Sequence, residues 1–186
     1  MRFSRLFFCR WLAVLATVLF LFPAACQDSK SSSGAGPKPA VRGLDAAGRM
    51  QIGKEDRCPV CAMPVADHEP FSAAVVLEDQ TTFYFCCPGC MMRAWLHPEV
   101  HLGRDRRQVA RTVVRDYFSG DFVDGHQVFW VSGSDVIGPM GPALVPLEDS
   151  SDLAAFRQRH GGKEVFQLRD LNDQNWEKLT GKRAKR

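Results

Sequence analysis

The sequence has no apolar run long enough to cross a bilayer as a helix, no concentrated basic face and no residue-level internal repeat. Its longest apolar stretch, Trp11 to Phe22, falls short of the ~20 residues that a spanning helix needs. The formal charge of +3 is carried entirely by Arg2, Arg5 and Arg10, since residues 1 to 26 contain no acid and no other base. Without them the chain is neutral, and the clustered cationic surface that a nucleic-acid partner requires is missing. The lack of a residue-level repeat leaves any duplication within the chain one of pattern alone.

What is present begins with a signal-like start. Three arginines precede the apolar run, which ends in Pro23-Ala24-Ala25-Cys26. A cysteine after two alanines at this place resembles a bacterial lipobox, with Pro23 where leucine is usual, and it makes Cys26 the expected lipidated residue of a processed chain anchored to a membrane. Gln27 after that cysteine, by resemblance to lipoprotein sorting signals, favours the outer over the inner membrane. Residues 1–26 are therefore assigned to the signal and residues 27–47 to a flexible tether, because Ser, Gly, Pro, Ala and Lys without apolar periodicity cannot offset their ordering entropy.

The remaining chain predicts an α+β fold of two small lobes, each reading strand, strand, helix, strand. In the first, residues 48–120, strands are expected over Phe71 to Leu77 and Thr81 to Phe85, a helix from Cys90 to Leu96 stopped before Pro98, and a β-branched strand from Val109 to Tyr117. In the second, residues 121–175, strands are expected over Val128 to Val131 and Ala143 to Leu147. A helix from Leu153 to His160 follows, capped by Ser150-Ser151-Asp152 and closed by Gly161-Gly162, then a strand from Glu164 to Leu168. Trp95, Trp130 and Phe129 are assigned to the core. Residues 176–186 read as a solvated basic tail.

The chemistry is concentrated in sulfur. Cys58, Cys61, Cys86, Cys87 and Cys90 lie close together with Met63, Met91 and Met92, in a segment that also holds His68. An oxidising compartment could pair the thiols, but five is an odd number and adjacent Cys86 and Cys87 pair poorly with each other. Structural zinc is a second reading, with Cys58-x-x-Cys61 and Cys87-x-x-Cys90 as the two halves of a tetrahedral thiolate site. Cu(I) is the third and preferred reading, because thiolate and thioether together select a soft ion. Cys61 and Met63, two apart on an extended segment, would face one side. A thiol-disulfide oxidoreductase is disfavoured because Pro64 and a strand, not a helix, follow the Cys-x-x-Cys. Met91 and Met92 serve equally well as core filler, and His68, His97 and His101 rank below the sulfurs. His126 and His160 read as turn and helix-end residues. No catalytic residue is assigned.

Two segments resemble the nitrous-oxide reductase accessory lipoproteins called NosL: Cys58-Pro59-Val60-Cys61-Ala62-Met63-Pro64-Val65, and Val131-Ser132-Gly133-Ser134-Asp135-Val136-Ile137-Gly138-Pro139-Met140-Gly141 followed by Leu144-Val145-Pro146-Leu147. With Phe156 and His160-Gly161-Gly162-Lys163, the resemblance covers roughly residues 55 to 170. It implies a periplasm-facing lipoprotein of two lobes that binds one Cu(I) and hands it to an apo copper enzyme, nitrous-oxide reductase, or to its assembly transporter. The ligands it implies are Cys61 and Met63, with Cys58 beside them and Met140 as a second-lobe sulfur. Two features depart from that family: Ala62 stands where glycine is expected, and Phe85-Cys86-Cys87-Pro88-Gly89-Cys90 looks instead like the F-C-C-x-x-C element of small heavy-metal trafficking domains.

Overall fold

A computed structural model describes residues 36–183; the expected signal, Cys26 and the first part of the tether lie outside the described residues. Within them, β1 (Ala73–Leu77) and β2 (Thr82–Phe85) form an antiparallel hairpin, with Gln80 in the left-handed region at its turn. β3 (Val109–Arg115) pairs with the other side of β1, and β4 (Phe122–Asp124) extends the sheet to the order β2-β1-β3-β4. Every residue of β1 is buried, as its unbroken Ala-Ala-Val-Val-Leu composition demands of a central strand covered on both faces. Helix α1 (Pro88–Leu96) starts at Pro88, whose missing N–H costs nothing there, and ends before Pro98, which opens the short helix α2 (Pro98–His101).

A second sheet has the order β8-β5-β9, built from β5 (Phe129–Ser134), β8 (Val145–Leu147) and β9 (Gly161–Phe166), all antiparallel. Between β5 and β8 a small hairpin, β6 (Ile137–Gly138) with β7 (Gly141–Pro142), holds Pro139 and Met140 at its tip. Helix α3 (Ser150–His160) follows, capped by Asp149, whose carboxylate accepts from the Ser151 N–H at 2.8 Å. The cap is thus one residue ahead of the expected Ser-Ser-Asp, because a carboxylate complements the positive helix end better than a hydroxyl. Gly161 closes the helix with φ 71°, as expected.

Alternation along β5 joins two cores. Trp130 points into the main core with Phe83, Phe85, Met91 and Trp176, while Val131 points the other way, against Val145, Leu147 and Phe156. Trp130 is completely buried, and its indole N–H donates to the Gly125 carbonyl at 2.9 Å. Asp116 ties the sheets together: its carboxylate accepts from the backbone of Phe118 and Ser119 after β3 and from Glu148 after β8, at 2.8 to 2.9 Å.

The α+β class and the strand, strand, helix, strand order of both halves are present, β4 and the β6–β7 hairpin being additions. That strand moves the first sheet's end to Asp124, past the expected boundary at residue 120, because β3 turns back through the tight Asp116–Gly120 loop. Both ends of the described chain differ from expectation. The segment read as free tether is pinned from Ala40 onward: the Ala40 N–H donates to the Thr82 carbonyl of β2, and the Val41 N–H to Asp56. The segment read as a basic tail forms helix α4 (Trp176–Thr180), with Trp176 and Thr180 buried. One tryptophan supplies the apolar area that the lysines around it lack. Among the described residues no helix is long and apolar enough to cross a membrane.

Candidate metal centre

Two separate pieces of chain build the centre. The first is the Cys58–Met63 turn. The Cys58 N–H donates to the Met63 carbonyl at 3.0 Å and the Ala62 N–H to the Cys58 carbonyl at 2.8 Å, closing a loop with both cysteines on it. An isolated bridge between Arg57 and Pro64 and the buried Asp56, which accepts from Val41 and Gly53, hold its base. Ala62 takes φ 62°, the left-handed region that costs a residue with a Cβ about 1–2 kcal/mol. This is the physical ground for the glycine expected there. The turn also corrects the expected extended segment: Cys61 and Met63 do not share a strand face, and Met63 is half-buried against the main core.

The second piece is the junction of β2 and α1. Cys86 follows the strand, Cys87 is extended at the start of the helix, and Cys90 lies in its first turn. The sulfurs of Cys58, Cys61, Cys86 and Cys90 all lie within 4.8 Å of one another. Cys61 and Cys86 are 3.4 Å apart, while Cys86–Cys90 and Cys90–Cys61 are each 3.9 Å. The expected pairing of Cys58-x-x-Cys61 with Cys87-x-x-Cys90 is therefore replaced by one using Cys86. Successive residues of extended chain point to opposite sides, so when Cys86 faces the turn its neighbour cannot. Cys87 stays buried beside Gly89, outside the group of four. All five thiols are free in this structure.

The thiols share protons unequally. Cys58 is held down to about 2 because the Cys86 and Cys90 thiols donate to its sulfur, with the backbone amides of Cys86 and Val60 adding to the effect. Cys87 is likewise lowered, to about 3, through its own hydrogen bonding with Cys86 and Cys90. Hydrogen bonding with neighbouring thiols, Cys58 first, pushes Cys86 and Cys90 well above the ordinary thiol range, and Cys61 is raised mainly by its burial. The group thus shares its protons through a close network of thiols. A soft cation entering such a group replaces the shared protons.

The remaining candidates separate cleanly. Met140, exposed on its hairpin tip, lines the same cavity as Cys61 and Cys90. Met91 and Met92 are completely buried core residues. His68 lies half-buried in a 3-10 turn over Ala66–Phe71, outside the sulfur group. His97 is engaged by Asp173 at 2.7 Å, and His126 packs edge-on against Trp95. His101 lines a cleft of about 630 Å³ that also borders Cys58, and burial first, then His97 and Arg93, lowers its pKa. His160 sits between Asp135 and Tyr117. Sequence reasoning missed Arg93, Lys182 and Arg183 beside the sulfurs. The basic composition after residue 177 was the available signal.

The copper-binding lipoprotein NosL of Stutzerimonas stutzeri is 29% identical over 111 residues, a match covering 58% of this chain and 58% of that relative. The match thus spans less than two thirds of the relative's length. The crystal structure of the copper chaperone NosL from Shewanella denitrificans overlays with a TM-score of 0.56 at 20% identity, over 67% of this chain and 96% of that one, a likeness of fold. Both are named for binding or carrying copper rather than for catalysing a reaction. The NosL family model matches residues 49–176, the stretch holding both sheets and every cysteine of the sulfur group, and the chain belongs to the NosL family.

Proposed function

We propose that this protein is a copper-carrying lipoprotein of the cell envelope that binds Cu(I) on Cys58, Cys61, Cys86 and Cys90 and passes it to an apo copper enzyme. The single observation that carries this reading is the convergence of four cysteine sulfurs within 4.8 Å from two distant segments. Thiolates at such spacing suit a soft monovalent ion, and family relatives named for copper make copper the cargo. Cys61 is half-exposed while the other three are buried, so one side of the site stays open to an exchanging ligand. Met63 and Met140 are supporting thioethers, Met140 being the one that lines the open side. The anchor is a lipid on Cys26, facing the periplasm from the outer membrane. The client is nitrous-oxide reductase or the transporter that assists its assembly.

A structural zinc site is the second reading, favoured by the same four cysteines, since four thiolates at about 2.3 Å would close a tetrahedral site. Metal analysis of anaerobically purified protein, followed by competition with a Cu(I) chelator, separates the two. Copper that leaves to the chelator with the fold intact supports the carrier. Stoichiometric zinc whose removal unfolds the chain overturns it.

A further inference from the structure

Cys61 and Cys90 open onto one cavity of about 400 Å³, whose lining includes Arg93, Met140, Lys182 and Arg183. No acidic residue is among the described residues that line it. The cations are held in place. The Lys182 methylenes lie against Gly89 in the first turn of α1, where a Cβ would meet Lys182 Cε at 3.4 Å and, further off, Cys87 Sγ at 3.9 Å. The Lys182 ammonium donates to the Met140 carbonyl at 3.3 Å. Arg93 lies over the Trp176 ring at 5.3 Å and donates to the Arg183 carbonyl at 3.0 Å. The chain after α4 is thus tied at two points across the open side of the sulfur group, from α1 to the tip of the β6–β7 hairpin.

Such a border has an electrostatic consequence. Cu(I) on three or four thiolates is a net anion, and an incoming thiolate that must join it before copper can leave is an anion too. Their repulsion is strong where the site is shielded from water and its effective dielectric constant is low. Cations at the opening offset it, and they extend an attraction to any carboxylates that flank the incoming ligand.

Resting on the reading that the sulfur group carries Cu(I), we propose that Arg93, Lys182 and Arg183 form a docking rim for a protein partner whose own copper-binding thiols are bordered by acidic side chains. The rim complements a carboxylate border and lies beside the one half-exposed thiol of the group. A lysine-bordered partner meets repulsion at the same place.

The probes are two synthetic Cu(I)-loaded Cys-x-x-Cys peptides, one flanked by glutamates and one by lysines, mixed with the metal-free protein under anaerobic conditions. Uptake from the glutamate peptide is expected to be about tenfold faster, the low end of electrostatic steering, with the ratio shrinking as salt is added. In the double variant Arg93→Gln with Lys182→Gln, and in Lys182→Gln alone should Arg93 prove necessary for folding, the ratio should fall towards one. Equal rates from both peptides in the unaltered protein, or a ratio that survives both variants, would overturn the proposal. Uptake from neither peptide would instead refute the Cu(I) reading beneath it.

Discussion

Cys61 and Cys86, which are 25 positions apart, bring their sulfurs to 3.4 Å, joining a tight turn to the end of a core strand. Metal binding at this contact depends on both pieces of chain. Cys61→Ser or Cys86→Ser should weaken Cu(I) by at least about tenfold, the loss that follows even removal of a group supporting a ligand. Cys87→Ser, outside the group of four, should have a much smaller effect. Chelator competition reads all three, and a Cys61→Ser protein with unchanged affinity would show that the ligands lie elsewhere.

The same closeness makes the empty site vulnerable to oxidants. Cys61, the half-exposed thiol of the group, is the sulfur that a reagent from solution reaches first. Treatment of the metal-free protein with an aromatic disulfide should consume thiols in pairs, two cysteines forming one bond while the reagent is reduced to two thiols. Copper loading should block the reaction. Thiol titration of loaded and empty samples checks this, and equal reactivity would count against copper on these sulfurs.

Asp116 should give stability a measurable acid limb. Burial would raise its pKa, yet the N–H groups of Ser119, Glu148 and Phe118 outweigh it and leave the carboxyl lowered. Its stabilisation is complete above the unfolded value of about 3.9 and is lost as pH falls through the lower folded value. Asp116→Asn should cost about 2–3 kcal/mol at neutral pH, because charged acceptor bonds are exchanged for weaker ones and an amide faces an N–H. Denaturant titrations between pH 7 and pH 3 should show the difference from the parent protein narrowing at the acid end.

Trp130→Ala should destabilise the fold by about 3–5 kcal/mol, the usual cost of a large buried aromatic. Urea unfolding measures it. A cost near zero would mean that the two sheets do not depend on this side chain.

Ala62→Gly should stabilise the protein by about 1 kcal/mol, relief of the left-handed strain exceeding the added freedom of the unfolded chain. The thermal midpoint of the metal-free protein is the readout, and a fall would refute the strain at Ala62.

The sulfur group was legible because metal-ligand spacing is a local property: Cys58 and Cys61 sit on one turn, and Cys86 and Cys90 flank the start of one helix. The choice of Cys86 over Cys87 was not, since it depends on which face of β2 meets that turn, a matter of register between distant segments. The central strands and α1 follow from β-branched composition and the bracketing prolines. The docking of Ala40 and Trp176 escaped notice because composition records the average of a segment, whereas one backbone bond or one indole decides whether it is held. The left-handed Ala62 is the intermediate case: its unusual backbone was visible only as a departure from a family pattern.

The bond from the Ala40 N–H to the Thr82 carbonyl falls on β2, an outer strand of the four-stranded sheet. An outer strand offers unpaired backbone to any neighbouring copy. By setting Ala40 against that edge, the protein occupies part of a template that would otherwise nucleate sheet-to-sheet association.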